Sequence, residues 1–285
     1  MHPMEYLISL LLTLIIIIGF VSLMLLGKRL ELFSSDHLEK SKILKYALIR
    51  WLMFATIGFV YLLSKIHFPG IETIVTYSFD NNVGNVLRAA YWKARIHSFG
   101  KNIKVEVGAK AIYGRNITIG DNSWIDRNVL LIAGKEISKD KYLVYVKENK
   151  SFKGKKGELR IGRGCHIAPN VVIQAIGGVE IGDYTGIASG AKIYSLSHHY
   201  RNIMQSDEVI YKFTPCAPPE EQSLIEGPVV FEGNNALGLN SVVLPGVTIG
   251  KNSWVGVCSY VVDDIPPNSI AIGCPAKVIK KRFIN

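Results

Sequence analysis

A six-residue spacing of aliphatic side chains limits this chain to very few folds. Phe231, Leu237, Val243, Ile249, Val255 and Val261 lie six apart with no slip. The same phase is led by Ile181, Ile187 and Ile193, by Ile161, Ile167 and Ile173, and by Ile119 and Ile125. Gly often follows the aliphatic residue, and a small residue often stands four places after it. A period of six means three short strands per coil with a turn at each corner. The aliphatic points inward and stacks on its counterpart one coil away. The small residue fits inside the corner, where Gly or Asn takes the turn conformation. The pattern predicts an all-β parallel β-helix, a solenoid held together by its neighbouring coils. A β-sandwich with chance hexads would not hold six consecutive aliphatics in register, and helix periodicity is absent here.

Two stretches break the repeat. Residues 132–158 are Lys-rich and read as a protruding loop or hairpin, either a solvated excursion or a contact with anionic lipid or substrate. Residues 199–227 form the second break. Solenoids tolerate such loops at corners, and long loops are disproportionately functional. The second break begins inside the sequence SLSHHYRN, residues 195–202, which carries adjacent histidines.

The solenoid is expected from residue 99 to 285, and the N-terminal third has another texture. Tyr6–Gly27 holds 22 residues without a charge. As a helix it is about 33 Å long, enough to cross a hydrocarbon core of about 30 Å. The run is too long for a signal-peptide core, no basic segment precedes it, and no A-x-A site follows. A second apolar stretch, residues 51–63, is short for a plain span. It would either cross with Arg50 and Lys65 snorkelling or re-enter. Residues 1–66 therefore read as an α-helical membrane-anchoring region. Lys28, Arg29, Lys40, Lys42, Lys45 and Arg50 place residues 28–50 in the cytoplasm by the positive-inside rule. If the second stretch returns, the large domain stays cytoplasmic as well. Residues 67–98 form a connecting and capping segment, in which 84–96 reads as a short basic amphipathic helix. Its alternative role is contact with a membrane surface.

The net charge of +10 asks for an anionic partner. No nucleic-acid module is present, so nucleic acid is not expected. Cys165, Cys216, Cys258 and Cys274 form no CxxC pair and match no zinc spacing, which favours free thiols in a reducing compartment.

SHHY at the break, followed by GNNALGLNSVVLPGVTIGKNSWVGVCSYVVDDIPPNSIAIGCPAKVIKKR, resembles the hexapeptide-repeat acyltransferases. The chain is most similar to the galactoside, maltose and exopolysaccharide O-acetyltransferase branch. The resemblance covers residues 99–283 and is most specific from Val243 to Lys281. It implies a left-handed parallel β-helix, a homotrimer, and acetyl-CoA as co-substrate in a groove between solenoids. It implies no metal. Carried over by position, the catalytic histidine is His198. The backbone positions that contact CoA fall near Leu239, Gly256 and Val257, and the basic residues near Lys280 and Lys277. Two features depart from the family pattern. Ala236 stands where many members have Trp, and the loop after His198 is longer than in the small sugar acetyltransferases. The apolar N-terminus suggests a lipid-linked or polymeric glycan acceptor at a bacterial inner membrane.

The chemistry suits a histidine. Acyl transfer from a thioester to a sugar hydroxyl needs the proton removed as attack occurs, and imidazole is matched to that task. His199 and Tyr200 could touch acceptor or simply begin the loop. Asn170 could contact acceptor hydroxyls or serve as a turn residue. A metal site of the γ-carbonic-anhydrase kind would need three imidazoles. His198 and His199 are adjacent and diverge along a strand, and His166 lies upstream. Sugar N-acetylation is the alternative reaction. A non-catalytic solenoid scaffold is the alternative class.

Overall fold

The computed structural model describes residues 3–30, 47–135, 142–200 and 209–282, with side chains from Thr13 onward in the first helix. Lys40, Lys42 and Lys45 lie outside the described residues, as do 136–141 and 201–208 within the two breaks. The chain divides into two compact units at Arg95–Ile96. Residues 67–95 therefore belong with the helices.

The first unit contains α1 (Pro3–Arg29), α2 (Ala47–Lys65), α3 (Ile71–Tyr77) and α4 (Asn82–Arg95). α1 and α2 pack as an antiparallel pair that depends on two glycines. A Cβ on Gly27 would overlap the Phe54 carbonyl oxygen, and one on Gly58 would overlap that of Leu23. Small residues at such crossings let helix backbones approach closely. Toward its N-terminal side, residues 13–19 of α1 are exposed. A helix that is hydrophobic all round does not stand alone in water. α2 runs 19 residues without a break. By length and composition, Leu48–Lys65 could cross a membrane, with a mean hydropathy of 1.4. α4 packs on α2 and α3. Its buried Arg88 donates to the carbonyl oxygens of Val75 (3.2 Å) and Ser78 (3.1 Å) and to Asn85 Oδ1 (2.6 Å), tying α3 to α4.

The second unit is the parallel β-helix that the hexads predict. Short strands build three parallel sheets, named here by their order within a coil. In sheet 1, Ile119, Ile161, Ile181, Phe231 and Ile249 pair in register. In sheet 2 the column is Ile125, Ile167, Ile187, Leu237 and Val255. In sheet 3 it is Leu131, Ile173, Ile193, Val243 and Val261. All fifteen are 2 % exposed or less, so each coil caps the apolar core of the next. The small corner residues are buried too. Ser123, Thr185, Ser253, Ser241 and Ser259 are at most 1 % exposed, and several of their hydroxyls bond backbone of the adjoining coil. Asn122, Asn128, Asn170, Asn240 and Asn252 take left-handed backbone at the turns, with φ from 54° to 63°. Asn tolerates that region better than other non-Gly residues. The antiparallel strands Ser269–Gly273 and Ala276–Lys281 close the C-terminal end.

Both breaks leave after sheet 3 and return to sheet 1. They are not independent. The first contributes the strand Leu143–Val146, which pairs in parallel with Ser223–Glu226 of the second. Ser223–Glu226 pairs antiparallel with Leu196–His198. Among the described residues the Lys-rich stretch forms one edge of a three-stranded sheet shared by the two breaks.

Candidate active site

The strand carrying His198 starts where the third sheet ends. Lys192–Tyr194 is the last strand before the second break, and Ser195 turns the chain out of the coil. The buried Ser195 hydroxyl donates to the Gln174 carbonyl oxygen at 2.9 Å and accepts from the Gly177 N–H at 2.9 Å. The Gln174 side chain then stands in for a neighbouring strand. Its Oε1 accepts from the Leu196 N–H (3.1 Å), and its Nε2 donates to the Leu196 carbonyl oxygen (3.2 Å). One coil below, a side-chain amide thus clamps the root of the histidine's strand.

His198 itself is half-buried. Its Nε2 lies 3.1 Å from Oε1 of Gln222, whose Nε2 donates to the Ala217 carbonyl oxygen at 2.6 Å. Gln222 is 1 % exposed. The next residue, His199, is fixed by its backbone N–H bond to the Ser223 carbonyl oxygen (2.8 Å), and its ring stacks on Tyr200 at 4.6 Å. Tyr200 is exposed. Below this strand Glu226 is buried, with Oε2 2.7 Å from Lys156 Nζ of the first break. Its Oε1 has no hydrogen-bond partner among the described residues. One ion pair therefore binds the two breaks together at the base of the site.

The residues expected at the CoA end collect at another corner. Leu239 and Val257 follow sheet 2 in consecutive coils, and the Cys258 N–H bonds the Leu239 carbonyl oxygen at 2.8 Å. Both side chains are exposed, 48 % and 58 %, forming an apolar edge. Gly256 lies between them and the final hairpin, where a Cβ would strike Ile272. Ile272 pairs with Lys277, and Ile270 with Lys280, so the expected basic residues stand on the adjoining strand. Lys277 is paired loosely with Asp263 at 3.5 Å on open surface. Such an exposed pair leaves the ammonium available to an anion.

Within one chain these two groups do not meet. His198 departs from the sheet 3 to sheet 1 corner, whereas Leu239 and Val257 occupy the sheet 2 to sheet 3 corner. Sheet 3 separates them. Asn170 is also at a sheet 2 to sheet 3 corner, in left-handed backbone, with its N–H on the Arg127 carbonyl oxygen at 2.9 Å. His166 is on sheet 2, stacked on Trp124 at 4.5 Å and 3.2 Å from Asp126 Oδ2, and it does not join His198 and His199. Among the described residues no group of three or more His, Cys, Asp or Glu could hold a metal. Burial pushes the Cys165 thiol up to about 11, so it is no nucleophile at neutral pH. Gln174, Gln222, Lys156 and Glu226 were not legible in the sequence. None belongs to a motif, and their partners lie on other turns of the chain.

No family model matches the chain. It is 30 % identical over 186 residues to the dTDP-4-amino-4,6-dideoxy-D-glucose acyltransferase of Escherichia coli, covering 65 % of this chain and 82 % of that one. It is 28 % identical over 164 residues to the galactoside O-acetyltransferase of Escherichia coli K12, covering 58 % of this chain and 63 % of the relative. Among solved structures, a point mutant of AntD, an N-acyltransferase from Bacillus cereus, in complex with dTDP and coenzyme A, superposes with a TM-score of 0.54. It has 23 % identity over 67 % of this chain and 87 % of its own, which speaks to the fold alone. The chain belongs to the hexapeptide-repeat acyltransferase family and is an acyl-CoA-dependent acyltransferase.

Proposed function

We propose that the chain is a membrane-anchored O-acetyltransferase. It moves an acetyl group from acetyl-CoA to a sugar hydroxyl of a surface glycan or its lipid-linked precursor. The observation that carries this reading is His198, at the root of a long loop with its ring on Gln222 and its strand clamped at Leu196 by Gln174, on a solenoid that also presents an apolar corner beside Lys277 and Lys280.

The Leu239–Val257 edge accommodates the pantetheine arm, and Lys277 and Lys280 receive the phosphate end. The acceptor hydroxyl attacks the thioester carbonyl while His198 takes its proton. A backbone N–H at this edge steadies the developing oxyanion. As the intermediate collapses, the C–S bond breaks and the departing thiolate takes the proton back from the imidazolium. The acetyl ester and free CoA result, with no covalent enzyme intermediate. His199, Tyr200 and Asn170 are the proposed acceptor contacts, with His199 and Tyr200 beside the base.

A homotrimer completes the site, because the base and the CoA edge lie on either side of sheet 3 and have to be supplied by different copies. The outward face of sheet 3 supports such contact. Leu130, Val172, Val242 and Tyr260 form one column across it, interrupted by Lys192. The exposed apolar stretch of α1 supports anchoring in a bacterial inner membrane, and use of acetyl-CoA supports a cytoplasmic solenoid. Acetylation of a nucleotide-linked amino sugar is a second reading, favoured by the Escherichia coli relative.

The test is thioester turnover by detergent-purified protein given acetyl-CoA and three acceptors: a membrane glycan extract, a hydroxyl sugar nucleotide, and a dTDP-amino sugar. Turnover with the extract and an alkali-labile ester product supports the reading. An alkali-stable amide made only on the amino sugar replaces it with N-acetylation. No acetyl-CoA binding overturns both.

A further inference from the structure

We infer that Gln222 holds neutral His198 as the Nε2–H tautomer, which makes Nδ1 the atom that takes the acceptor's proton. The inference rests on the reading of His198 as the base, and it concerns which face of the ring does the work.

The direction of the Gln222 amide is settled by its far end. Its nitrogen stands 2.6 Å from the Ala217 carbonyl oxygen, where only a donor can stand. Turning the amide over would set two oxygens against each other. Oε1 therefore faces His198, and an amide oxygen only accepts. The ring atom 3.1 Å away is Nε2, so in the neutral ring Nε2 carries the hydrogen. A half-turn of the imidazole about Cβ–Cγ would bring Cε1 to this point rather than Nδ1, and the bond would be lost. One ring nitrogen's hydrogen bond fixes the state of the other, so the lone pair is on Nδ1.

Gln222 is well suited to this role. At 1 % exposure it is locked between two partners, and swinging away would leave the Ala217 oxygen and its own amide unpaired. It also immediately precedes the strand that pairs with the histidine's own, since Leu224–Glu226 is in register with Leu196–His198. The backbone of the second break thus sets the distance, and the amide selects the tautomer. A neutral partner orients the imidazole without adding a charge that would hold it protonated. Gln222 is a positioning residue: it acts through His198 and does not touch the reacting atoms.

Two variants separate this role from packing. Gln222→Glu gives up the bond to the Ala217 carbonyl oxygen but keeps an acceptor opposite Nε2–H and makes it anionic, which favours the imidazolium. Turnover is expected to survive, with the acid limb of the pH–kcat profile moved up by about one pH unit or more. Gln222→Met keeps the volume and removes the acceptor. There kcat is expected to fall by about tenfold to a hundredfold with an unchanged KM for acetyl-CoA. The ring state is read directly from nitrogen and carbon chemical shifts of isotope-labelled histidine in the full-length protein in liposomes. His198 is assigned by the signal that disappears in His198→Asn. An Nε2–H ring in the wild type and a mixed population in Gln222→Met support the inference. An Nδ1–H ring in the wild type, or Gln222→Met with wild-type kcat and pH profile, overturns it. Full turnover by His198→Ala would instead remove the base assignment itself. The two failures are thus told apart, since the tautomer is read without turnover.

Discussion

In the coils, Ile173 is buried between Leu131 and Ile193, its own counterparts one turn away on either side. In the two breaks, Gln222, Lys156 and Glu226 have no counterparts at all. Each makes its contact once, across 24 residues for His198–Gln222 and 70 for Lys156–Glu226. The coils spread their stability over many equivalent contacts, so no single one decides the fold. The breaks concentrate theirs in a few polar contacts that fix one side chain. This difference suits the two tasks. A repeating apolar stack makes a rigid frame, and a buried polar bond supplies direction that stacking cannot.

The largest stability effect is expected in the breaks. Lys156→Met removes the ammonium paired with the buried Glu226 carboxylate, whose side chain is 2 % exposed. Breaking a buried pair from one side costs about 3–5 kcal/mol. Denaturant unfolding should record the loss, and amide exchange should show it first in the shared three-stranded sheet. Uniform loosening of the coils would blur the contrast. Ile173→Ala comes next, at about 2–5 kcal/mol for a truncated core aliphatic. Here the exchange should spread to the flanking coils above and below while the Leu196–His198 strand follows passively.

A smaller, pH-dependent effect belongs to Cys165 inside a corner. Its thiol is raised from 9.0 to about 11, chiefly by burial. A raised acid keeps its contribution below the unfolded value and loses it as pH climbs toward the folded one. Between pH 8 and pH 10 the folded state should lose about 1 kcal/mol that Cys165→Ala does not lose. Denaturant midpoints of the two proteins at both pH values check it. Identical pH slopes would mean that the corner is wetter than its burial indicates.

The frame could be read from the chain because the solenoid's rule is local and repeated. Each hexad position from Ile119 to Val261 states the same requirement, and the corner residues Ser241 and Ser253 repeat four places later. His198 stands out in the sequence because it lies where the repeat stops. The supports of His198 do not. Gln174 clamps Leu196 only because the coil below puts it there, and Gln222 reaches His198 only because two strands pair antiparallel. Neither partner's spacing follows any period. The strand Leu143–Val146 was obscured for a related reason. Its Lys-rich flanks suggest a solvated loop, while its pairing with Ser223–Glu226 is a contact between two breaks. Asn170 could have been either a ligand or a turn residue by type, and its φ of 61° supplies the turn.

Subunit complementation tests most directly the claim that His198 of one copy works on acyl-CoA held at the Leu239–Val257 edge of another. His198→Ala removes the base, and Val257→Glu puts a negative charge on an exposed edge without disturbing the core. Each protein alone should lose at least about a hundredfold in acetyl-CoA turnover. Co-expressed and purified as mixed oligomers, they should regain a substantial fraction of wild-type activity, because some interfaces then pair an intact base with an intact edge. Mixed oligomers that form and stay inactive, or a His198→Ala protein that is active alone, would contradict the account.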